Sequence, residues 1–130
     1  MKLVLDTGVI MLILKGDKKI KTLIKDISCG TEAYTTTINL TELYYKTEQK
    51  LGKETAVTWL NRIIHLKDLT IVPVDTELAI KAGKLKAKHR NKISLADAIV
   101  AALAEKTKAK LATTDKALNN IEEIEVLTYS

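Results

Sequence analysis

Phenylalanine is absent from this 130-residue chain, which also has one cysteine, one proline, one tryptophan and five glycines. A lone Cys29 excludes an intrachain disulfide, and no Cys/His cluster has the spacing of a zinc site. A bilayer span needs about 20 consecutive apolar residues, and the longest apolar run here is only Val9 to Leu14. The N-terminal Lys2-Leu3-Val4-Leu5-Asp6 lacks the apolar stretch and small-residue cleavage site of a signal peptide. A soluble, unexported, cytoplasmic protein with no membrane partner is therefore expected. Repeats, linkers and low-complexity tracts are also missing, so residues 1–130 read as one domain. His65 and His89 have no local partner pattern that would make either a catalytic base.

What is present suits a packed domain. Hydrophobic residues make up 46% of the chain and charged residues 28%, well away from a disordered composition. Twenty-one basic residues against 16 acidic give a net charge of +5, a mild bias toward an anionic partner such as nucleic acid.

Hydrophobic patterning alternates between strands and helices. Lys2 to Leu5 reads as a buried strand and Gly8 to Leu14 as the helix after it. Asp17 opens a second helical pattern, with Ile20, Leu23, Ile24 and Ile27 on one face. Ala33 to Thr37 suits a strand. Asn39 is expected to cap a helix running to about Lys50, with Glu42 in its first turn. Gly52 ends that helix and Lys53 to His65 forms the next. Leu69 to Val74 is β-branched, and Asp75 caps a helix to about Lys88. Ser94 caps an apolar helix through Thr107. Lys110 to Thr113, Asp115 to Asn120 and Glu125 to Tyr129 complete the pattern as strand, short helix and strand. The order predicts an α/β fold with a mostly parallel sheet and helices on both faces. Ligands in such folds sit beyond the carboxyl ends of the strands, where strand order reverses. Asp6 and Asp115 each follow a predicted strand.

Four acids stand out, and each has two readings. Asp97 lies in Ser94-Leu95-Ala96-Asp97-Ala98-Ile99-Val100, on a helix apolar nearly all round and with no cation one turn away. A buried, unpaired carboxylate costs several kcal/mol, which a metal ion would relieve. The competing reading is a capping box with Ser94. Asp6 is a helix cap or a ligand at a strand end. Asp115 is a first-turn acid favoured by the helix dipole or a ligand. Glu42 is the partner of Lys46 at i,i+4 or a ligand. Together they fall on elements that a parallel sheet brings to one edge. Hard divalent cations prefer such oxygen donors, and the expected chemistry is hydrolysis, with water attacking in line at phosphorus.

Asp6-Thr7-Gly8-Val9-Ile10, Thr41-Glu42-Leu43, Ser94 to Ala102 and Thr113-Thr114-Asp115 resemble, in order and spacing, the PIN-domain nucleases, in particular the VapC-type toxins of toxin–antitoxin pairs. The resemblance spans nearly the whole chain, and the third segment is its most specific part. It implies a PIN-like three-layer fold with about five strands, a Mg²⁺ or Mn²⁺ site, endonucleolytic cleavage of RNA, and a homodimer. Carried over, Asp6, Glu42, Asp97 and Asp115 are the catalytic and metal-binding quartet, with Thr113 and Thr7 in support. Lys116-Ala117-Leu118 stands where the family often has another acid and an aromatic, so a first metal position is better supported than a second.

From Leu78 to Ala96 there is no acid, and the stretch carries Lys81, Lys84, Lys86, Lys88, Arg90 and Lys92. It reads as a phosphate-tracking rim, with Lys86, Lys88 and Arg90 as RNA contacts, or as a solvated helix face. The toxin reading implies an antitoxin whose Arg or Lys enters the acidic crevice. The alternatives are a free-standing RNA-processing nuclease and a non-catalytic RNA- or protein-binding domain of the same fold. A phosphoacceptor domain needs an acidic pair after the first strand, and a haloacid-dehalogenase-like phosphatase needs Asp-x-Asp. Leu5-Asp6-Thr7-Gly8 supplies neither.

Overall fold

The run Lys2–Leu5 becomes the central strand, β1, because it has apolar side chains for both faces: Leu3, Val4 and Leu5 are all at or below 1% exposure. The computed structural model describes residues 1–129, with Asn91 described by its backbone alone. After β1 come α1 (Thr7–Lys15), α2 (Lys21–Ser28), β2 (Glu32–Thr36), α3 (Thr37–Leu51), α4 (Lys53–Ile64) and β3 (Leu69–Val72). Then follow α5 (Thr76–His89), α6 (Leu95–Thr107), β4 (Lys110–Thr113) and β5 (Val126–Thr128). Short 3₁₀ turns occupy Lys18–Ile20, Arg90–Lys92 and Lys116–Asn120.

The five strands pair in the order β3-β2-β1-β4-β5, all parallel. Val4 lies opposite Tyr34 on β2 and Leu111 on β4. The period of two divides the interior into two cores. Val4 and Leu111 face Leu78, Leu85 and the α6 residues Ile99, Val100 and Leu103. Leu3, Leu5 and Ala112 face Val9, Ile10, Leu23, Leu43 and Ile63 on the first four helices and Ile20 in the first 3₁₀ turn. Burying each such aliphatic side chain contributes about 1.5–3 kcal/mol. The three layers are helices, sheet and helices, as expected.

Chain order leaves β1 toward β2 on one side and later resumes beside it with β4 on the other. The strand order therefore reverses between β1 and β4, and a crevice opens at their carboxyl ends. Gly8 lets α1 reach that crevice. A Cβ at Gly8 would collide with Thr114 Oγ1, so the Thr114 side chain can lie against the start of α1 as it does because this residue has none.

Some boundaries differ from expectation. α3 starts two residues before Asn39, and its N-cap is Thr36. Thr36 Oγ1 accepts from Asn39 N at 3.3 Å while Asn39 Oδ1 accepts from Thr36 N at 3.1 Å, a reciprocal capping box. Asn39 is thus the third helical residue, and Glu42 sits in the second turn, not the first. β3 stops at Val72, before Pro73, which has no N–H for a ladder. The Asp17 pattern splits into a 3₁₀ turn and α2, with Ile20 and Leu23 buried and Ile24 left 37% exposed.

Candidate active site

Asp6 leaves β1 as the N-cap of α1, with Oδ1 accepting from Thr7 N at 2.8 Å. Its other oxygen accepts from Thr113 Oγ1, at the end of β4, at 2.7 Å. Thr113 is fully buried and Asp6 is 7% exposed. Burial raises the Asp6 pKa above the ordinary carboxylate value, opposed by the hydrogen bonds from Thr113 and Thr7.

Asp97 arrives from α6. Eight successive residues, Asp97 to Ala104, are buried there, so the helix is packed on all sides at this end. The capping box is real: Asp97 N donates to Ser94 Oγ at 3.1 Å and Ser94 N donates to Asp97 Oδ2 at 3.3 Å. Capping does not neutralise the carboxyl. Its pKa is pushed up to about 6, first by burial, then by repulsion from Asp6 and by hydrogen-bond contact with the Asp115 carboxyl; the Ser94 N–H opposes the rise. Asp115 follows β4, and its Oδ1 caps the 3₁₀ turn by accepting from Ala117 N at 2.9 Å. Thr113 Oγ1 accepts from Asp115 N at 3.0 Å, so one threonine braces both Asp6 and Asp115.

Glu42 reaches the same cleft from α3. Its Oε1 accepts from Thr7 Oγ1 at 2.8 Å, and Oε2 stands 3.5 Å from Lys46 Nζ. The cleft has a volume of about 620 Å³. Asp6, Glu42, Asp97 and Asp115 line it together with Thr7, Gly8, Ser94 and Thr114. The structure thus gathers all four acids of the sequence reading, from four separate segments. Each also makes the local bond that offered the bland reading, because a carboxylate has two oxygens and a capping bond uses one.

The basic residues divide. Lys86 lines the cleft, and its Nζ donates to the carbonyls of Arg90 at 3.1 Å and Ile93 at 2.7 Å. Lys88 instead pairs with Glu123 at 2.6 Å, and neither Lys88 nor Arg90 is among the cleft residues. Glu123 holds the Lys88 pKa above the ordinary lysine value. Lys46 and Lys92 line the cleft and were not singled out as RNA contacts. The signal for Lys92 was its place two residues before the Ser94 cap, and for Lys46 its i,i+4 spacing from Glu42. The remaining unanticipated residue is Asn39, 1% exposed, whose Nδ2 donates to Thr7 Oγ1 at 2.9 Å.

Among the described residues, no three His, Cys, Asp or Glu side chains are grouped so as to hold one ion as they stand. The donor chemistry nonetheless fits a hard cation. Mg²⁺ keeps most of its waters and takes one or two carboxylates from the protein. Asp97 and Asp115, in mutual contact with Asp6 nearby, offer such a pair. A buried Asp97 carboxyl raised in pKa by the neighbouring Asp6 and Asp115 marks a place where a cation would relieve repulsion.

The PIN domain profile matches residues 3–124. The chain belongs to the PIN-domain family. The fold of this PIN domain matches solved toxin–antitoxin structures. One is VapBC2 of Rickettsia felis bound to a promoter DNA fragment, with a TM-score of 0.81, 21% identity and 100% of each chain covered. Another is DNA-bound VapBC of Salmonella typhimurium, with a TM-score of 0.79, 21% identity and coverage of 100% and 99%. VapC20 of Mycobacterium tuberculosis, a Sarcin-Ricin loop cleaving toxin, gives a TM-score of 0.68 at 16% identity, covering 84% of this chain and 86% of its own. No curated protein sequence matches. Among the described residues, no helix of this PIN domain is long and apolar enough to cross a membrane.

Proposed function

We propose that this PIN domain is a Mg²⁺- or Mn²⁺-dependent endoribonuclease and the toxin of a toxin–antitoxin pair. The observation that carries the reading is the cleft itself: four carboxylates from four segments converge at the strand-order reversal, beside Lys46, Lys86 and Lys92. Asp97 and Asp115 would hold the ion, with Asp6 and Glu42 on the same cleft wall to bind its waters. A divalent ion so held supplies positive charge at the scissile phosphate and makes water a better nucleophile at neutral pH.

The protein's own groups supply position. Thr113 fixes Asp6 and the Asp115 backbone, so two carboxylates keep one spacing. Ser94 N–H holds one Asp97 oxygen and leaves the other toward the cleft. The three lysines offer ammonium groups to the phosphates flanking the cut, in a cleft where four carboxylates would otherwise repel RNA. Lys86 joins this rim while bracing the Arg90–Lys92 turn, whereas Lys88, paired with Glu123, and Arg90 stand outside the cleft.

The toxin assignment is supported by the fold likeness to VapC proteins solved with their antitoxins. An antitoxin Arg or Lys presented to the carboxylates would block the cleft by a charge-assisted bond. A homodimer would rest on the apolar side chains left at the surface. Ile20, Leu23 and Leu43 are buried within the chain's own core, whereas Tyr45, Ile80 and Leu95 are 42%, 55% and 63% exposed. A light-scattering mass equal to one chain at high micromolar concentration removes the dimer from the proposal.

Purified protein incubated with a mixed RNA pool tests the activity. Endonucleolytic products that need Mn²⁺ or Mg²⁺ and vanish in EDTA are expected. Intact RNA under every metal condition overturns the nuclease reading. Harmless overexpression of a protein that cuts RNA well overturns only the toxin assignment and leaves a processing nuclease.

A further inference from the structure

A second network lies behind the carboxylates and ends on Glu42. We propose that Asn39 is a positioning residue: its side-chain amide fixes the Thr7 hydroxyl as a one-way donor to Glu42 and so holds Glu42 at the cleft. The proposal rests on the nuclease reading for the use of Glu42, but not for the hydrogen-bond chain itself.

The direction of every bond follows from a backbone group. Thr36 N is 3.1 Å from Asn39 Oδ1, and a backbone N–H only donates. The atom facing Thr36 is therefore the carbonyl oxygen of the Asn39 amide, and the NH₂ end points the other way. Thr36 Oγ1, 2.6 Å from the same oxygen, must donate to it, since a carbonyl oxygen only accepts, and its lone pair takes the Asn39 N–H. The Asn39 NH₂ lies 2.9 Å from Thr7 Oγ1, and an amide nitrogen does not accept. Thr7 Oγ1 is then the acceptor of that bond. Its single proton is left for Glu42 Oε1, 2.8 Å away.

The chain of groups is complete, and it is buried as far as Thr7. Thr36 is 0% exposed, Asn39 1% and Thr7 2%. Among the described residues the one buried side-chain polar atom without a partner is Thr47 Oγ1, outside this chain. A buried, satisfied network keeps one arrangement. Asn39 thus has two functions carried by different atoms: its oxygen closes the α3 capping box, and its nitrogen sets Thr7. The capping function alone requires no contact with Thr7, which lies 32 residues away in sequence. Outer partners that orient a metal's carboxylates typically contribute 10–100-fold in metal affinity, and Glu42 is the one carboxylate of the four held chiefly through such a side chain.

The test is a double-mutant cycle on Mn²⁺ affinity, read by calorimetry on Thr7→Val, Asn39→Ala and the double variant, with Thr7→Ser as the conservative control. Each single change is expected to weaken Mn²⁺ binding severalfold, up to the loss of about tenfold expected for removing the Glu42 charge itself. The double variant should bind no worse than Thr7→Val, because Asn39 acts through the hydroxyl, and Thr7→Ser should bind like wild type. Wild-type affinity in Asn39→Ala, or additive losses in the double variant, overturns the proposal and leaves Asn39 as a capping residue. The metal-free wild type supplies a second readout independent of variant folding. NMR should show a slowly exchanging Thr7 hydroxyl proton with cross-peaks to Glu42, and a rapidly exchanging hydroxyl overturns the proposal. Wild-type protein that binds no Mn²⁺ but shows the protected hydroxyl would remove the metal reading of the cleft and keep the Asn39–Thr7–Glu42 chain.

Discussion

The two sides of the cleft are held in different ways. Asp6, Asp97 and Asp115 sit at strand ends and a helix start, and backbone N–H groups of Thr7, Ser94 and Ala117 fix them directly. Glu42 hangs from the second turn of α3, placed by a hydroxyl and an ammonium. The aspartate corner is therefore rigid and electrostatically strained, and the glutamate corner is adjustable and compensated by Lys46. Fold topology brings the first together, because a parallel sheet reversing between β1 and β4 juxtaposes those turns, and the Thr113 hydroxyl then braces Asp6 and Asp115. The second needs a side-chain network, and a sequence pattern does not display one.

The strained corner gives the largest expected effect. Asp97→Asn keeps size and hydrogen-bonding capacity and removes the charge that Asp6 and Asp115 oppose. It should nearly abolish cleavage while leaving the metal-free fold as stable as wild type or more so. The pH dependence fixes the sign. The folded-state pKa of Asp97 is about 6, above its unfolded value of 3.8. The folded protein thus binds more protons between those values, and stability falls as pH rises through that window. The loss is complete above about pH 6 and absent below about 3.8, and it amounts to roughly 2 kcal/mol after allowing for solvent screening. Burial shifts Asp6 in the same direction. Urea melts in EDTA at pH 4.5 and pH 7.5 should show that slope for wild type and a flatter one for Asp97→Asn. Mn²⁺ at a hundredfold excess over its dissociation constant should stabilise wild type by about 2.7 kcal/mol, and the variant by less. If Asp97→Asn instead melts well below wild type in EDTA and keeps its cleavage rate, the carboxyl is a capping group only.

Gly8→Ala tests whether the two turns must touch. The added Cβ would collide with Thr114 Oγ1 and crowd its Cγ2 and Cβ, so Thr114 has to turn its side chain and give way. Overpacking of this kind costs about 1–3 kcal/mol. Because Asp115 follows Thr114, metal affinity should fall along with stability. A variant that melts lower but binds Mn²⁺ at full strength would show that the aspartate corner tolerates movement, contrary to the rigidity ascribed to it.

Glu42→Gln probes the adjustable corner and should do less. The Thr7 hydroxyl still finds an oxygen, and Lys46 loses its partner but remains largely solvated. A drop of about tenfold in Mn²⁺ affinity, the low end for an outer partner, is the expected result, against near-complete loss of cleavage for Asp97→Asn. Equal losses from both variants would erase the distinction between the corners.

The difference between the corners also explains what the sequence disclosed. The parallel sheet, the helix order and the convergence of Asp6, Glu42, Asp97 and Asp115 were legible, because strand and helix periods and strand-end acids are local signals. The α3 start was misplaced because both Thr36 and Asn39 are good cap residues. The reciprocal side-chain to backbone bonds of Thr36 and Asn39 decide between them. The Asn39 amide also reaches Thr7, which no local pattern announces. Lys88 and Arg90 were grouped with Lys86 because charge runs are read along the chain, whereas phosphate contacts depend on which turn of α5 faces the cleft. Glu123, far away in sequence, claims Lys88.

That division among the lysines gives the smallest effect. Each phosphate contact to single-stranded RNA changes the slope of log affinity against log salt by about 0.7. Lys92→Ala should therefore flatten the slope by about that amount, with Lys46→Ala close behind, since its ammonium already has Glu42 as a partner. Lys86→Ala should flatten it too and also lower the melting temperature, because the side chain braces the carbonyls of Arg90 and Ile93. Lys88→Ala should leave the slope nearly unchanged, as its charge is committed to Glu123 outside the cleft. Arg90 marks the border: it carries a free-standing charge in the sequence run but a backbone φ of +50°, a conformation a glycine adopts more easily. Arg90→Gly should consequently raise or preserve stability while reducing the slope only if the guanidinium meets RNA. Fluorescence anisotropy with a catalytically silent Asp97→Asn background, across 50 to 200 mM salt, measures all five variants on uncut RNA. A larger slope change for Lys88→Ala than for Lys92→Ala would move the RNA path out of the acidic cleft and onto the α5 surface.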